Sequence, residues 1–186
     1  MNENRDKLEQ GKLTPSILTK LLKSTSRKAP EIIVGADAGE DAAVVYGAEK
    51  LIITADPITF TEENIGFYTV AVNCNDIVAM GGKPVYLTTT ILLPPGTTQN
   101  RLETVFKEIK IASRGAGLLW VGGHTEVTSA VNRIVVSAQA IGFLLKNPTT
   151  TAGAKPGEAL VMTKWAGLEA TTLIARERQE ETQKLL

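Results

Sequence analysis

The residues best suited to chemistry in this 186-residue chain are acidic and lie far apart. Asp41 opens the apolar run DAAVVY, Asp56 closes the run LIITA, and Asp76 lies in the stretch NIGFYTVAVNCNDIVAMGGKP, residues 64–84. That stretch reads as a helix. Thr69, Asn73, Asp76 and Met80 recur at three- and four-residue spacing, so Asn73 and Asp76 stand one turn apart and can act on one object. An amide and a carboxylate so placed fit a bound ligand, and they fit equally a solvated pair on a surface helix. The two apolar runs are joined by the short Gly47-Ala48-Glu49-Lys50 connection, which predicts a hairpin. Antiparallel pairing then puts Asp41 and Asp56 at the same end of the ladder. Carboxylates gathered at one edge repel each other unless a cation lies between them. Magnesium needs few protein carboxylates and takes its other ligands from water and phosphate. Each aspartate alone is also an ordinary turn residue at a strand end.

A second candidate is Gly122-Gly123-His124-Thr125-Glu126, which follows the apolar run Leu118 to Val121 and reads as a tight turn. Paired glycines let backbone amides approach an anion closely; a plain turn is the alternative. The single histidine excludes metal sites and triads that need several. The single cysteine excludes an internal disulfide and a cysteine zinc cluster. That cysteine, Cys74, falls on the apolar side of the 64–84 helix and reads as a small core residue.

The elements that must position these groups follow from periodicity. Thr14-Pro15 reads as an N-cap followed by proline at the first helical position, opening a short amphipathic helix with Ile17, Leu18, Leu21 and Leu22 inward. In the 64–84 helix, Phe67, Val70, Ala71, Cys74, Ile77 and Val78 form the expected core stripe. Gly81-Gly82 stops it and Pro84 prevents its continuation. Val85 to Leu93 is a strand of strong β propensity. Thr97 or Thr98 caps the next helix, with Leu102, Val105, Phe106, Ile109 and Ala112 inward, and Gly115 to Gly117 ends it. Arg133 to Leu145 alternates as a long strand. The expected divisions are a polar arm over 1–12, a domain over 13–147, a linker over 148–157 (proline, threonine and glycine), and the start of a second domain over 158–186. That last part contributes a strand, 158–163, and a helix from Gly167.

Composition narrows the class. The chain is 43% hydrophobic, enough for a core. Its 20 basic and 20 acidic residues balance, which argues against nucleic acid as a partner. No apolar run reaches membrane-spanning length and the N-terminus is polar, so a cytoplasmic protein is the natural reading.

Six segments, taken in order, resemble one family. They are GEDAAV (39–44), ITADP (53–57), AVNCNDIVAMGGKP (71–84), LPPGT (93–97), VGGHTEV (121–127) and KPGEALVMTKWAGLEAT (155–171). The chain resembles the AIR synthase (PurM-like) superfamily, and within it the HypE-like, AIR synthase related branch. The resemblance implies an α/β (α+β) N-terminal domain with a mostly antiparallel sheet and helices packed on one face, two such sheets pairing into a dimer barrel. It implies ATP and Mg2+ as cofactors. It assigns Asp41, Asp56 and Asp76 to the metal and Asn73, Asp76, Gly122, Gly123, His124 and Lys12 to the nucleotide. The implied activity is that of a HypE-type hydrogenase maturation factor, an ATP-dependent dehydratase or ligase, incomplete without the rest of its second domain. The implied partners are a second copy, a polypeptide supplying the missing domain, and other maturation proteins. A non-catalytic dimerisation or partner-binding module and a kinase of the thiamine-monophosphate type are the alternatives. His124 departs from the Asp or Glu of many relatives, with Glu126 two residues on.

Overall fold

The computed structural model describes residues 8, 11–25, 28–30, 32–34, 44–45, 51–147, 155–159 and 161–184. In chain order its elements are β1 (Gly11–Lys12), α1 (Pro15–Thr25), β2 (Ile32–Val34), β3 (Val44–Val45), β4 (Leu51–Ile58), α2 (Ile65–Ala79), β5 (Gly82–Leu93), α3 (Gln99–Gly115), β6 (Leu119–Val127), β7 (Val135–Leu144), α4 (Leu168–Glu177) and α5 (Gln179–Gln183). They fall into two compact units, Met1–Thr149 and Thr150–Leu186.

The first unit is built on a sheet in the order β1-β6-β5-β7-β4. β5 and β6 run parallel; every other neighbouring pair is antiparallel. This is the mostly antiparallel α/β sheet expected. α2 packs on β4, β5 and β7, and α3 packs on α2 and β6. Between helices and sheet lies the core, where Ile58, Ile77, Leu87, Ile91, Leu102, Val105, Ile109 and Val136 are completely buried.

Two glycines set how closely these layers approach. A Cβ on Gly66 would lie 2.5 Å from the Ile109 backbone nitrogen, so the first turn of α2 lies directly against α3. A Cβ on Gly142 would lie 2.4 Å from Ile77 Cγ2 and 2.6 Å from the Lys83 carbonyl, so α2 settles onto β7. Truncating Ile77, wedged at this junction, to alanine would cost about 2–5 kcal/mol.

Several expectations are corrected. Among the described residues β4 pairs with β7, Asp56 opposite Ala138, and β3 pairs with β2; the rest of the DAAVVY run and its connection to β4 lie outside the described residues. Asp41 lies outside the described residues. At the N-terminus, Gly11 and Lys12 are not part of a free arm but a short strand opposite Val127 and Glu126. The helix that carries Asp76 is rotated relative to the expected stripe. Phe67 and Val78 are 55% and 59% exposed, whereas the inward residues are Ile65, Gly66, Tyr68, Thr69, Val70, Asn73 and Ile77. Polar Thr69 and Asn73 are tolerated inside because each has a backbone partner: Thr69 Oγ1 donates to the Ile65 carbonyl at 2.7 Å.

The second unit is described as helices α4 and α5 preceded by irregular chain. The strand expected at 158–163 is absent from the described residues there, and Val161, Met162 and Trp165 are 66–80% exposed. No strand among the described residues of this unit offers it a ladder. Among the described residues no helix is long and apolar enough to cross a membrane.

Candidate functional site

Among the described residues β4 is the edge strand of the sheet, and its side chains alternate. Leu51, Ile53, Ala55 and Pro57 face away from the helices; Ile52, Thr54, Asp56 and Ile58 face α2. The two-residue period therefore aims Thr54 and Asp56 at the same helix, and the three-residue step from Asn73 to Asp76 aims both of these at the strand. The result is a reciprocal brace. Thr54 Oγ1 donates to Asp76 Oδ2 at 2.7 Å. The Asp56 backbone N–H donates to Asn73 Oδ1 at 3.1 Å, and Asn73 Nδ2 donates to the Asp56 carbonyl at 3.4 Å and to the Thr69 carbonyl at 2.9 Å. The strand thus holds the helix's carboxylate through Thr54, and the helix holds the strand's backbone at Asp56 through Asn73.

Asn73 is completely buried. Its amide satisfies both backbone groups of Asp56 at a sheet edge, where they would otherwise lack a partner. What this geometry supports for Asn73 is placement of Asp56 rather than contact with a ligand.

The Asp56 and Asp76 side chains are neighbours across the strand–helix junction. The Asp56 carboxyl is pushed above the ordinary aspartate range, first by its hydrogen bond with Asp76, then by burial, then by the charge of Asp76. Two carboxyl groups in contact must share a proton or a cation. Among the described residues no third histidine, cysteine or acidic side chain joins them. Cys74, on the same helix, is half-buried, and burial raises its thiol above the ordinary range, so it is not an activated nucleophile.

The β4–α2 connection is fixed from outside. Asn64 adopts a left-handed conformation (φ 52°) and offers α2 no side-chain cap. Glu108 of α3 supplies the acceptor instead, taking the Gly66 N–H at 3.0 Å. Arg101 is 3.9 Å from Glu108 and donates to the Glu62 carbonyl, while Glu62 Oε1 accepts the Ile134 N–H at 2.9 Å. Neither Glu108 nor Thr54 stood out in the sequence. The alternation of Thr54 with Asp56 was the available signal for Thr54; Glu108 carried none, because its partner is 42 residues away.

Gly122, Gly123 and His124 lie elsewhere. They are not in a turn: β6 includes them, and its register against β5 shifts by one residue just before Gly122, Leu87 pairing with Trp120 and Thr88 with Gly122. Both glycines have φ of 151°, and a Cβ on Gly123 would lie 1.7 Å from the Thr89 carbonyl oxygen of β5. Gly123 therefore serves close strand approach and Gly122 follows the register shift, both common uses of glycine in a strand. His124 is opposite Thr90, on the face of the sheet turned away from the helices. Its Nε2 is 3.4 Å from Glu126 Oε2, and both side chains are partly exposed. Lys12 pairs in register with Glu126. Three strand spacings, about 14 Å, separate β6 from β4. One chain thus brings Asp56, Asp76, Asn73 and Thr54 together and leaves Gly122, Gly123, His124 and Lys12 at the opposite edge.

Comparison with known proteins agrees with this architecture. Residues 39–144 match the family model for the N-terminal domain of AIR synthase related protein. A putative hydrogenase expression/formation protein of Methanocaldococcus jannaschii is 29% identical over 139 residues, covering 69% of this chain and 42% of the relative. A thiamine-monophosphate kinase of Pyrococcus horikoshii is 29% identical over 156 residues, covering 77% and 48%. The chain spans about half the length of the curated relatives it matches. Among solved structures, the hydrogenase maturation protein HypE superimposes with a TM-score of 0.72 at 24% identity, over 86% of this chain and 50% of that one, which shows the fold. A HypE structure in complex with ATP superimposes with a TM-score of 0.57 at 26% identity, over 68% and 38%.

Proposed function

This chain belongs to the family of AIR synthase related proteins through its N-terminal domain, and we propose that this domain binds ATP together with a magnesium ion held by Asp56 and Asp76. The observation that carries the reading is the meeting of two carboxyl groups from a strand and a helix, with the Asp76 carboxylate held by Thr54 and the Asp56 backbone held by Asn73. The donor set fits the ion. Carboxylate oxygens are hard ligands, and an ion that keeps several waters and takes phosphate oxygens needs only one or two of them. When bound, magnesium would neutralise charge on the phosphate oxygens, the main requirement of phosphoryl-transfer chemistry.

The chain's own residues then divide the work. Asp56 and Asp76 hold the ion, and Asn73 fixes the backbone that presents Asp56. Asp41, outside the described residues, is the proposed third carboxylate, on the strength of its GEDAAV context. Gly122, Gly123, His124 and Lys12 are the proposed phosphate-side residues, and a nucleotide shared between two copies is the proposed way for them to meet it, given the separation of β6 from β4. The helix-free face of the sheet is the proposed meeting surface; on it Ile53 is 67% and Leu51 47% exposed. The proposed setting is the HypE-like one, ATP-dependent maturation of hydrogenase, with a further polypeptide segment supplying the remainder of the second domain.

Titration calorimetry with a non-hydrolysable ATP analogue tests the reading. Binding is expected to require magnesium and to weaken by at least about tenfold in Asp76→Ala, the loss of one charged ligand. Equal binding without magnesium, or unchanged binding by Asp76→Ala, would contradict it. A stable dimer by light scattering that binds no nucleotide would instead favour the dimerisation module.

A further inference from the structure

Asp76 has two carboxylate oxygens, and the strand already uses one. Thr54 Oγ1 donates to Asp76 Oδ2 at 2.7 Å, a short distance for a hydroxyl bonded to a carboxylate and typical of a strong, charge-assisted bond. The threonine is well placed to keep that bond. It lies in mid-strand, two residues from Asp56 on the same face, and its β-branched side chain has little rotational freedom. β4 itself is held at Asp56 by the Asn73 amide. A cation reaching Asp76 therefore meets one oxygen that Thr54 does not use. Chelation through both oxygens would put the ion in competition with the hydroxyl at Oδ2.

That constraint bears unequally on different ions. Magnesium and manganese are small and six-coordinate, and they are satisfied by one oxygen from each carboxylate with water completing the shell. Calcium is larger, takes six to eight oxygens, and commonly draws both oxygens from a carboxylate. From these contacts we infer that Thr54 is a specificity-determining residue, which presents Asp76 as a one-oxygen ligand and so biases the Asp56–Asp76 site towards small six-coordinate cations and against calcium. The inference rests on the cation-binding reading above and adds to it a residue and a selectivity.

The hydroxyl also makes the claim separable from simple structural support. Thr54→Val keeps the shape and branching of the side chain and removes the donor; Thr54→Ser keeps the donor and removes a methyl group. The probe is Mn2+ alone, followed by electron paramagnetic resonance of the free ion, with Mg2+ and Ca2+ as competitors and no nucleotide. In the unaltered chain Mg2+ should displace Mn2+ at lower concentration than Ca2+ does. In Thr54→Val the Ca2+ affinity relative to Mg2+ should rise by about 3- to 10-fold, the worth of the hydrogen bond that Ca2+ no longer has to break. Thr54→Ser should retain the original ratio. If Thr54→Val fails to fold by circular dichroism, Thr54→Ala supplies the same comparison. Mn2+ bound by all variants with an unchanged ratio would overturn the role of Thr54 and leave the cation site standing. No Mn2+ binding by the unaltered chain would overturn both.

Discussion

The two edges of the sheet use their predicted site residues in opposite ways. At the β4 edge, side chains from strand and helix converge, and Asn73, polar in the sequence, is buried and braced. Towards the β1–β6 edge, Gly122 and Gly123 contribute no side chain at all; Gly123 lets β6 approach β5, and His124 and Glu126 are left on a partly exposed face. The first region has the features of a binding site within a single chain. The second is built for packing on one side and is exposed on the other. A residue set drawn from one linear pattern therefore divides into a group that one chain brings together and a group that the same chain leaves several strands away.

The comparison can be broken most severely at the β6 edge. Gly123→Val places atoms where the Thr89 carbonyl now lies, at a backbone angle that L side chains rarely adopt. A loss of about 3 kcal/mol or more is expected, or failure to fold, measured by urea denaturation. A variant of native stability would show that the strands do not approach as described.

At the β4 edge the next largest effect belongs to Asn73. Asn73→Ala removes three hydrogen bonds in a completely buried position and should cost about 2–3 kcal/mol. It should also loosen Asp56. Faster hydrogen exchange at the Asp56 amide, with the amides of β7 unchanged, is the expected signature; an unchanged Asp56 amide would remove Asn73 from the account of how the site is placed.

How far the sequence led is visible in these same residues. α3 and β7 were legible because one period dominates each, and Thr98 does cap α3, accepting the Arg101 N–H. Asp56 and Asp76 could be selected because each interrupts an apolar run. The inward face of α2 could be read only in part: Val70 and Ile77 of the expected stripe are buried, but Phe67 and Val78 are exposed, because the buried line Gly66, Val70, Asn73 and Ile77 follows the same helical spacing. The buried line is decided by what it meets: the α3 backbone at Gly66, Gly142 at Ile77 and the Asp56 backbone at Asn73. Paired glycines were ambiguous for a similar reason, since glycine permits both a reversal and a close approach. Thr54 was concealed by its setting, a threonine in a β-rich run being ordinary.

The smallest expected effect has a sign that distinguishes a functional pair from a structural one. The Asp56 carboxyl is held above its ordinary range by Asp76, so in the folded state it binds its proton more tightly than in the unfolded chain. Its contribution to stability is complete below about pH 3.9, the ordinary aspartate value. It is lost as pH rises through the raised folded value, beyond which both carboxylates are charged and repel. In metal-free buffer at neutral pH, Asp56→Asn should therefore raise the melting temperature, by no more than about 2 °C given solvent screening at this half-exposed position. The gain should vanish below pH 3.9. A melting temperature that falls at neutral pH would mean that the pair stabilises the fold without a cation.

The most direct test of the central claim is Mn2+ binding to the unaltered chain, to Asp56→Asn, to Asp76→Asn and to the double variant, followed by electron paramagnetic resonance. If the two carboxylates hold one ion, each single substitution should weaken binding by about tenfold or more, and the double variant should lose little beyond the worse of the two singles. Binding that survives the double substitution would place the cation, and with it the nucleotide, away from the Asp56–Asp76 pair.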